Sequence, residues 1–521
     1  MLSTAAIRAE LAPMLRLALP LIVAELGWMA MEIVDTIMVS RLPNSTEAIG
    51  AAGLGGILFY VASIFAAGLL FGLDTVVSQS FGAGRLDECH RWLIQSLYIV
   101  AALTPFVMLA TWATPHALAL TGTLDPSLLS ETRRYMHALM WSALPLLLYF
   151  AFRRYLQAIN HVGIVMASLV AANLVNVVAN YALIFGNLGA PAMGIAGAGW
   201  GTVIARSTMA VVLLGYIVWY DRQHHVSILD ILRGHHDEVS ASSSSAARAE
   251  KVSSFRFQVS GENQEQDQDH SKPGTRNSKP GLEPSAFISV HQRPSGFPGL
   301  RPDMSRLGTL LRLGFPVAFQ ILFEVGVFAA ATYMAGRLGV IPLAAHQITL
   351  RTASVTFMVP LAISSAAAVR VGQALGRGDP PGAARAGWTA LALGAAFMTC
   401  AALVFVSVPQ QIARIFTQDA GVIATTISLL LVAAVFQLCD GLQIVASGAL
   451  RGAGDTRTPM LTSLAAYWGL GLPLGAYLGL WAGMGVVGVW TGLCVALCGI
   501  GAGLLWWWGK AVSRFTFHVS R

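Results

Sequence analysis

The run Leu15-Arg16-Leu17-Ala18-Leu19-Pro20 returns 296 residues later as Leu311-Arg312-Leu313-Gly314-Phe315-Pro316, and the same offset carries Arg41-Leu42 onto Arg337-Leu338. Gly84-Arg85 answers Gly376-Arg377, and Met193-Gly194, Gly197 and Gly201 answer Met484-Gly485, Gly488 and Gly492 at an offset of 291. Anchors in the same order at nearly constant spacing mark a duplication of the whole element order.

The repeated unit is a set of membrane spans. Of the 521 residues, 55% are hydrophobic and only 11% charged, with a mean hydropathy of +0.63. A water-soluble globule carries far more charge. Apolar runs recur that can cross about 30 Å of hydrocarbon, which takes roughly 20 residues at 1.5 Å each. They lie near 14–39, 48–73, 92–114, 135–156, 161–185 and 195–220, then 311–335, 343–370, 386–408, 424–449, 458–480 and 486–508. The first run is too long for a secretory signal and lacks a small-residue cleavage pattern, so it is expected to be retained.

The expected fold is therefore an all-α integral membrane protein, with twelve transmembrane helices in two pseudo-twofold-related six-helix lobes. Six spans per half bring both repeats into the membrane in one direction, which places the pseudo-twofold along the membrane normal. Transporters with that symmetry hold their sites between or within the lobes. Residues 1–220 form the N-lobe and 307–508 the C-lobe. Between them, 221–306 reads as a disordered cytoplasmic linker: it contains Ser242-Ser243-Ser244-Ser245 and Glu262-Asn263-Gln264-Glu265-Gln266-Asp267, and eleven basic residues balance eleven acidic ones. Residues 509–521 read as a cytoplasmic tail.

Charge orients the chain. With the N-terminus inside, the inner loops hold Arg85, Arg91, Arg153, Arg154, Arg377, Arg385, Arg451 and Arg457, and the tail adds Lys510, Arg514 and Arg521. The outer loops hold only Arg41, Arg133, Arg134, Arg337 and Arg414. Both termini are expected in the cytoplasm. The net charge of +7 does not indicate nucleic acid, because the basic residues stand singly rather than in a stripe. The odd set of cysteines, Cys89, Cys400, Cys439, Cys494 and Cys498, gives neither a disulfide framework nor a zinc spacing.

Acids inside the spans carry the chemistry, since an ionised Asp near a helix centre costs on the order of 3 kcal/mol to insert. Span 1 holds Glu25, Glu32 and Asp35, which fall within a wedge of about 80° at about 100° per residue. Span 7 contributes Glu324 and span 10 Asp440, both in the C-lobe. Carboxylates without a fixed cation can exchange protons, and several oxygens together can hold a dehydrated sodium ion, so coupling to either ion uses the same residues. Asn173, Asn176 and Asn180 of span 5 either complete an oxygen-rich pocket with Asp35 or serve as interhelical packing bonds. Glu25 is also readable as an interfacial residue.

Other features have two readings each. Arg206, Arg351 and Arg370 either pair with the acids or snorkel to the interface. Phe357 and Met358 line a cavity or face lipid. Trp506-Trp507-Trp508 reads as an interfacial anchor. His224-His225 and His235-His236 lack metal spacing. No nucleophile elbow and no phosphate-cradling loop is present, which argues against an enzyme or an ATP-driven pump.

Several stretches together resemble the MATE (multidrug and toxic compound extrusion) family, in particular its NorM-type bacterial branch. They are Val34-Asp35-Thr36-Ile37-Met38-Val39, Ser80-Phe81-Gly82-Ala83-Gly84-Arg85, Gly314-Phe315-Pro316 with Glu324, Ala344-Ala345-His346-Gln347, and Ser447-Gly448-Ala449-Leu450-Arg451-Gly452-Ala453-Gly454-Asp455. The resemblance covers nearly all of both halves. It implies a V-shaped pair of lobes in a bacterial inner membrane, acting as a monomer without cofactor. Such a protein exports cationic and amphipathic drugs or toxic compounds in exchange for Na+ or H+. By that match Asp35 with Asn176 and Asn180 is the N-lobe coupling site and Glu324 with Asp440 the C-lobe cation site, while Glu25 and Glu32 are additional acids. The sequence departs from the pattern at Phe436, where an aromatic hydroxyl is usual. A flippase for lipid-linked precursors is the alternative, disfavoured by the acidic lobes; a membrane enzyme or a receptor has no recognisable site.

Overall fold

The computed structural model describes residues 4–122, 125–223 and 302–517. All twelve expected spans are helical. Eleven are long and apolar enough to cross a bilayer: Glu10–Val39, Ser45–Gly82, Leu86–Leu120, Pro126–Ala158, Val162–Phe185, Ile195–Gln223, Met304–Leu338, Val340–Gly376, Pro380–Ser407, Ala420–Gly452 and Gly485–Phe515. The remaining one, span 11, occupies 457–481 and is assembled from short pieces, Arg457–Ser463, Leu464–Gly471, Leu472–Ala476 and Tyr477–Trp481. The second and fourth pieces are π-helical. Pro473 supplies a local reason, since it donates no backbone hydrogen bond and crowds the preceding turn. Span 11 packs on span 12 through glycines so closely that a Cβ on Gly492 would lie 2.3 Å from the Gly475 nitrogen.

The acids and prolines between spans act as helix starts. Asp125, Asp303, Asp379 and Asp419 each accept a backbone N–H of the following first turn, which satisfies donors that the helix itself cannot. In Asp125 these bonds, from the Ser127 side chain and backbone, hold the carboxyl below its ordinary range.

Several helices outrun their apolar stretches, and this corrects the expected boundaries. Span 6 extends to Gln223 and span 7 begins at Met304, so the linker cannot occupy the whole of 221–306. The Ser-rich and Gln-rich runs and both His pairs of that linker lie outside the described residues. Span 12 continues to Phe517, so most of the expected tail is helix. Trp506 is exposed, and the Lys510 ammonium lies 4.9 Å from its ring, as an interfacial anchor requires. Trp508 is not part of that anchor: it is fully buried against Gly387, where a Cβ would come within 2.0 Å of the indole.

The described residues of the two halves form one compact unit, tied together at the end that carries the termini. Small residues let the backbones meet there. A Cβ on Gly314 would lie 2.0 Å from the Leu69 carbonyl, one on Gly82 2.1 Å from that of Gln373, and one on Gly376 2.1 Å from that of Gln79. Polar bonds reinforce the contact. Thr75 donates to the Arg451 carbonyl (2.6 Å), Gln79 to that of Gly452 (3.1 Å), and Gln373 to the Ala158 carbonyl (2.8 Å) and the Asn160 amide oxygen (2.9 Å). These bonds between the halves all lie toward this end.

Arg153, Arg154 and Arg451, expected in inner loops, are buried inside helices instead. Arg154 Nη1 lies 3.2 Å and Arg451 Nε 3.3 Å from one oxygen of Asp74, and both guanidinium groups cover the ring of Phe71. Asp74 was not singled out from sequence. It joins an arginine of each half across the seal.

Candidate functional site

Asp35 sits on span 1 about one turn from the end opposite the termini. Spans 5 and 6 bring it three polar neighbours. Asn180 Nδ2 donates to Asp35 Oδ1 at 2.6 Å and Thr202 Oγ1 to Oδ2 at 3.3 Å, while Asn180 also donates to Asn176 Oδ1 at 3.2 Å. The i, i+4 spacing of the two asparagines puts both amides on one face, fully buried. Asn176 also faces Asp35 closely enough to act on its carboxyl, and Asn180 Oδ1 has no partner. The result is a carboxylate held by neutral donors, with a spare amide oxygen beside it. Asn173 does not join this group. It donates to the Gly27 and Leu169 carbonyls, a packing role.

Close packing of span 6 on span 5 fixes the arrangement: a Cβ on Gly201 would stand 2.0 Å from Asn180 Oδ1. Gly201→Ala is therefore expected to displace the Asn180 amide from Asp35 and to lower transport as strongly as Asn180→Ala, with membrane insertion preserved. Transport by Gly201→Ala at the wild-type rate, measured beside Asn180→Ala, would break the link between this packing and the site.

The three acids of span 1 have different fates. Glu25 is ion-paired to the buried Arg153, so the expected single acidic face is divided. Glu32 is exposed, within electrostatic reach of Arg206 and of Arg351 from the other half. Arg206 makes no ion pair within bonding distance among the described residues. It donates to Ser142 Oγ (2.6 Å) and lies over Phe59 and Trp28. Arg370 pairs with Glu10 at 2.7 Å rather than snorkelling alone.

The second site lies within the C-terminal half, where Glu324 and the buried Asp440 interact electrostatically. Gln443, one turn beyond Asp440, donates to Glu324 Oε1 at 3.4 Å and to the Tyr467 hydroxyl at 3.2 Å. Phe436 is stacked on Trp490, and the aromatic hydroxyl beside Gln443 is that of Tyr467, from the first π-helical piece of span 11. Neither Gln443 nor Tyr467 was read from the sequence. A polar residue one turn from Asp440 was the available signal for the first; nothing local marked the second.

Asp35, Glu32, Glu324 and Asp440 have no arginine or lysine within ion-pair distance among the described residues, whereas Glu10, Glu25, Asp74 and Glu88 each do. Two classes of acid within the spans thus coexist, one with fixed cations and one without.

The sequence signature described as MatE matches the chain twice, over residues 20–182 and 316–477, once in each half. The chain belongs to the MatE family. The double match also bears out the internal repeat. Among similar MatE relatives, the probable multidrug resistance protein NorM of Mesorhizobium japonicum is 32% identical over 508 residues, spanning 96% of this chain and 94% of that one. The multidrug resistance protein MdtK of Edwardsiella ictaluri is 28% identical over 492 residues, spanning 94% and 93%. Solved structures share the MatE architecture at low identity. The Vibrio cholerae MATE transporter VcmN in its bent form gives a TM-score of 0.73 at 15% identity, with 99% of each chain covered. A transporter of the MOP superfamily from Pyrococcus furiosus, described as having a binding pocket of reverse polarity, gives 0.75 at 16% with 97% of each covered. The twelve-helix, two-lobe fold is common to them.

Proposed function

We propose that this MatE protein is a secondary antiporter that exports cationic or amphipathic drugs and toxic compounds in exchange for Na+ or H+ by alternating access. It works as a monomer, without cofactor, in a bacterial inner membrane with both termini in the cytoplasm. The supporting observation is the contrast between acids. Asp35 with Asn176 and Asn180 in one half, and Glu324 with Asp440 in the other, are carboxylate groups in a low-dielectric bundle held by amides and hydroxyls. Something mobile has to neutralise them. A coupling ion does so in one state, and an organic cation competes for the same charge in the other. The names of the relatives agree with this reading, and the acidity of both sites disfavours a pyrophosphate-bearing lipid as substrate.

The test loads inverted vesicles with a fluorescent cationic dye and imposes sodium and proton gradients separately. Dye movement is expected to follow at least one gradient, and to stop following it in Asp35→Asn. Dye movement that ignores both gradients would remove the antiport assignment.

A further inference from the structure

At the terminal end, on the seam between the halves, lies a pocket of about 230 Å³ lined by Pro13, Arg16, Leu17, Asn160 and Arg370. Four of these come from the N-terminal half and Arg370 from the C-terminal half. Asn160, in a left-handed conformation (φ 69°), closes the turn between spans 4 and 5, and its side chain is bonded to Gln373 across the seam. The pocket thus rests on the polar contacts that hold the two halves together.

Its charge is unbalanced. Arg370 engages Glu10 through Nε and Nη2 on the same carboxylate oxygen, which leaves its Nη1 edge for another acceptor. Arg16 is exposed and makes no ion pair among the described residues. Two guanidinium groups against one carboxylate leave one net positive charge. Arg16 lies about 9 Å along the helix from Glu10, at about 1.5 Å per residue, a depth from which a guanidinium on a flexible stem reaches headgroup phosphates.

We propose that this pocket binds the headgroup of an anionic phospholipid, with Arg16 and Arg370 gripping its phosphate from the two halves. Guanidinium forks suit phosphate oxygens, and basic pockets between spans are a recurrent way to hold anionic lipids. A lipid fits better than free phosphate because of what continues from Arg16 along the same helix face. Leu19 and Val23 follow at i+3 and i+7, 56% and 44% exposed, and offer an apolar track for an acyl chain. By bridging the halves, the lipid favours the sealed arrangement of this end.

The experiment places the full chain in phosphatidylcholine nanodiscs that contain or lack phosphatidylglycerol, and reads retained phospholipid by native mass spectrometry together with the thermal midpoint. Wild type is expected to retain phosphatidylglycerol preferentially and to gain stability from it. Arg16→Gln should weaken that retention by roughly tenfold or more, and Arg16→Lys should restore part of it. Arg312→Gln, the repeat-related position outside this pocket, should retain the lipid as wild type does. Equal retention by Arg16→Gln would overturn the site, and equal loss in Arg312→Gln would reduce it to general surface charge. Stabilisation by inorganic phosphate in phosphatidylcholine alone would identify a free-anion site instead. Because Arg16 is exposed and makes no ion pair among the described residues, its replacement is expected to leave folding intact, and none of these readouts depends on transport.

Discussion

Asp74→Asn is expected to destabilise the protein by about 3–5 kcal/mol, the usual consequence of removing one partner from a buried ion pair, and to loosen the seal between the halves. Asp74 is 1% exposed, Arg154 4% and Arg451 5%. Without the carboxylate, two desolvated guanidinium groups from opposite halves repel each other over the ring of Phe71. Hydrogen exchange should rise across 72–82 and 364–376, where Gln79, Gln373 and their carbonyl partners hold the halves together, and rise less in the helix ends farthest from the termini. Asp74→Glu should restore part of the protection. The combined variant Asp74→Leu, Arg154→Met, Arg451→Met should recover much of the stability, since a whole ionic cluster replaced by apolar groups is often neutral. Unchanged exchange in Asp74→Asn, with a normal thermal midpoint, would show that the cluster does not hold the seal.

Much of the fold was readable because hydrocarbon imposes a length on each helix. Twelve apolar runs and the duplicated LRL-containing word that ends at Pro20 and again at Pro316 defined the architecture. Helix ends were less legible, because polar residues continue a helix once it leaves the oil. Span 10 extends to Gly452, so Arg451 is inside a helix beyond the expected boundary, while Arg153 and Arg154 lie within span 4, which runs to Ala158, rather than in an inner loop. Their partners are remote: Arg153 finds Glu25 128 residues away and Arg154 finds Asp74 80 residues away. Periodicity along one helix cannot report such pairings. The same holds for Trp508, whose aromatic run suggests an interface until Gly387 is seen to provide the space for it.

Site residues divide in the same way. Asp35, Asn176 and Asn180 were legible because the i, i+4 amides and the motif in span 1 carry local signals. Tyr467 was not, because it reaches Gln443 only through the π-helical course of span 11, and nothing in a stretch such as Leu464-Ala465-Ala466-Tyr467 announces that geometry. The division of the span 1 acids depended on Arg153, a residue that the charge count had assigned to a loop.

The second large effect is expected at Asp440, and its sign on stability separates it from Asp74. Asp440→Asn should lower gradient-driven dye efflux by roughly a hundredfold, the kinetic equivalent of the ~3 kcal/mol that a charged Asp costs in the bilayer interior. An amide cannot accumulate that charge and then surrender it to a cation. Stability should hold or rise, since no arginine loses its partner. Glu324→Gln should behave alike, as both acids share Gln443 and Tyr467 as neighbours. Gln443→Leu should have a smaller effect, roughly tenfold, because it removes one hydrogen bond to a charged group and leaves the charge. Efflux and thermal midpoint measured on the same preparations decide the matter. If Asp440→Asn unfolds the protein as Asp74→Asn does, Asp440 is a structural anion with a partner, and the division of the acids into fixed and exchangeable sets fails. If it transports at the wild-type rate with normal stability, the C-terminal half carries no coupling site.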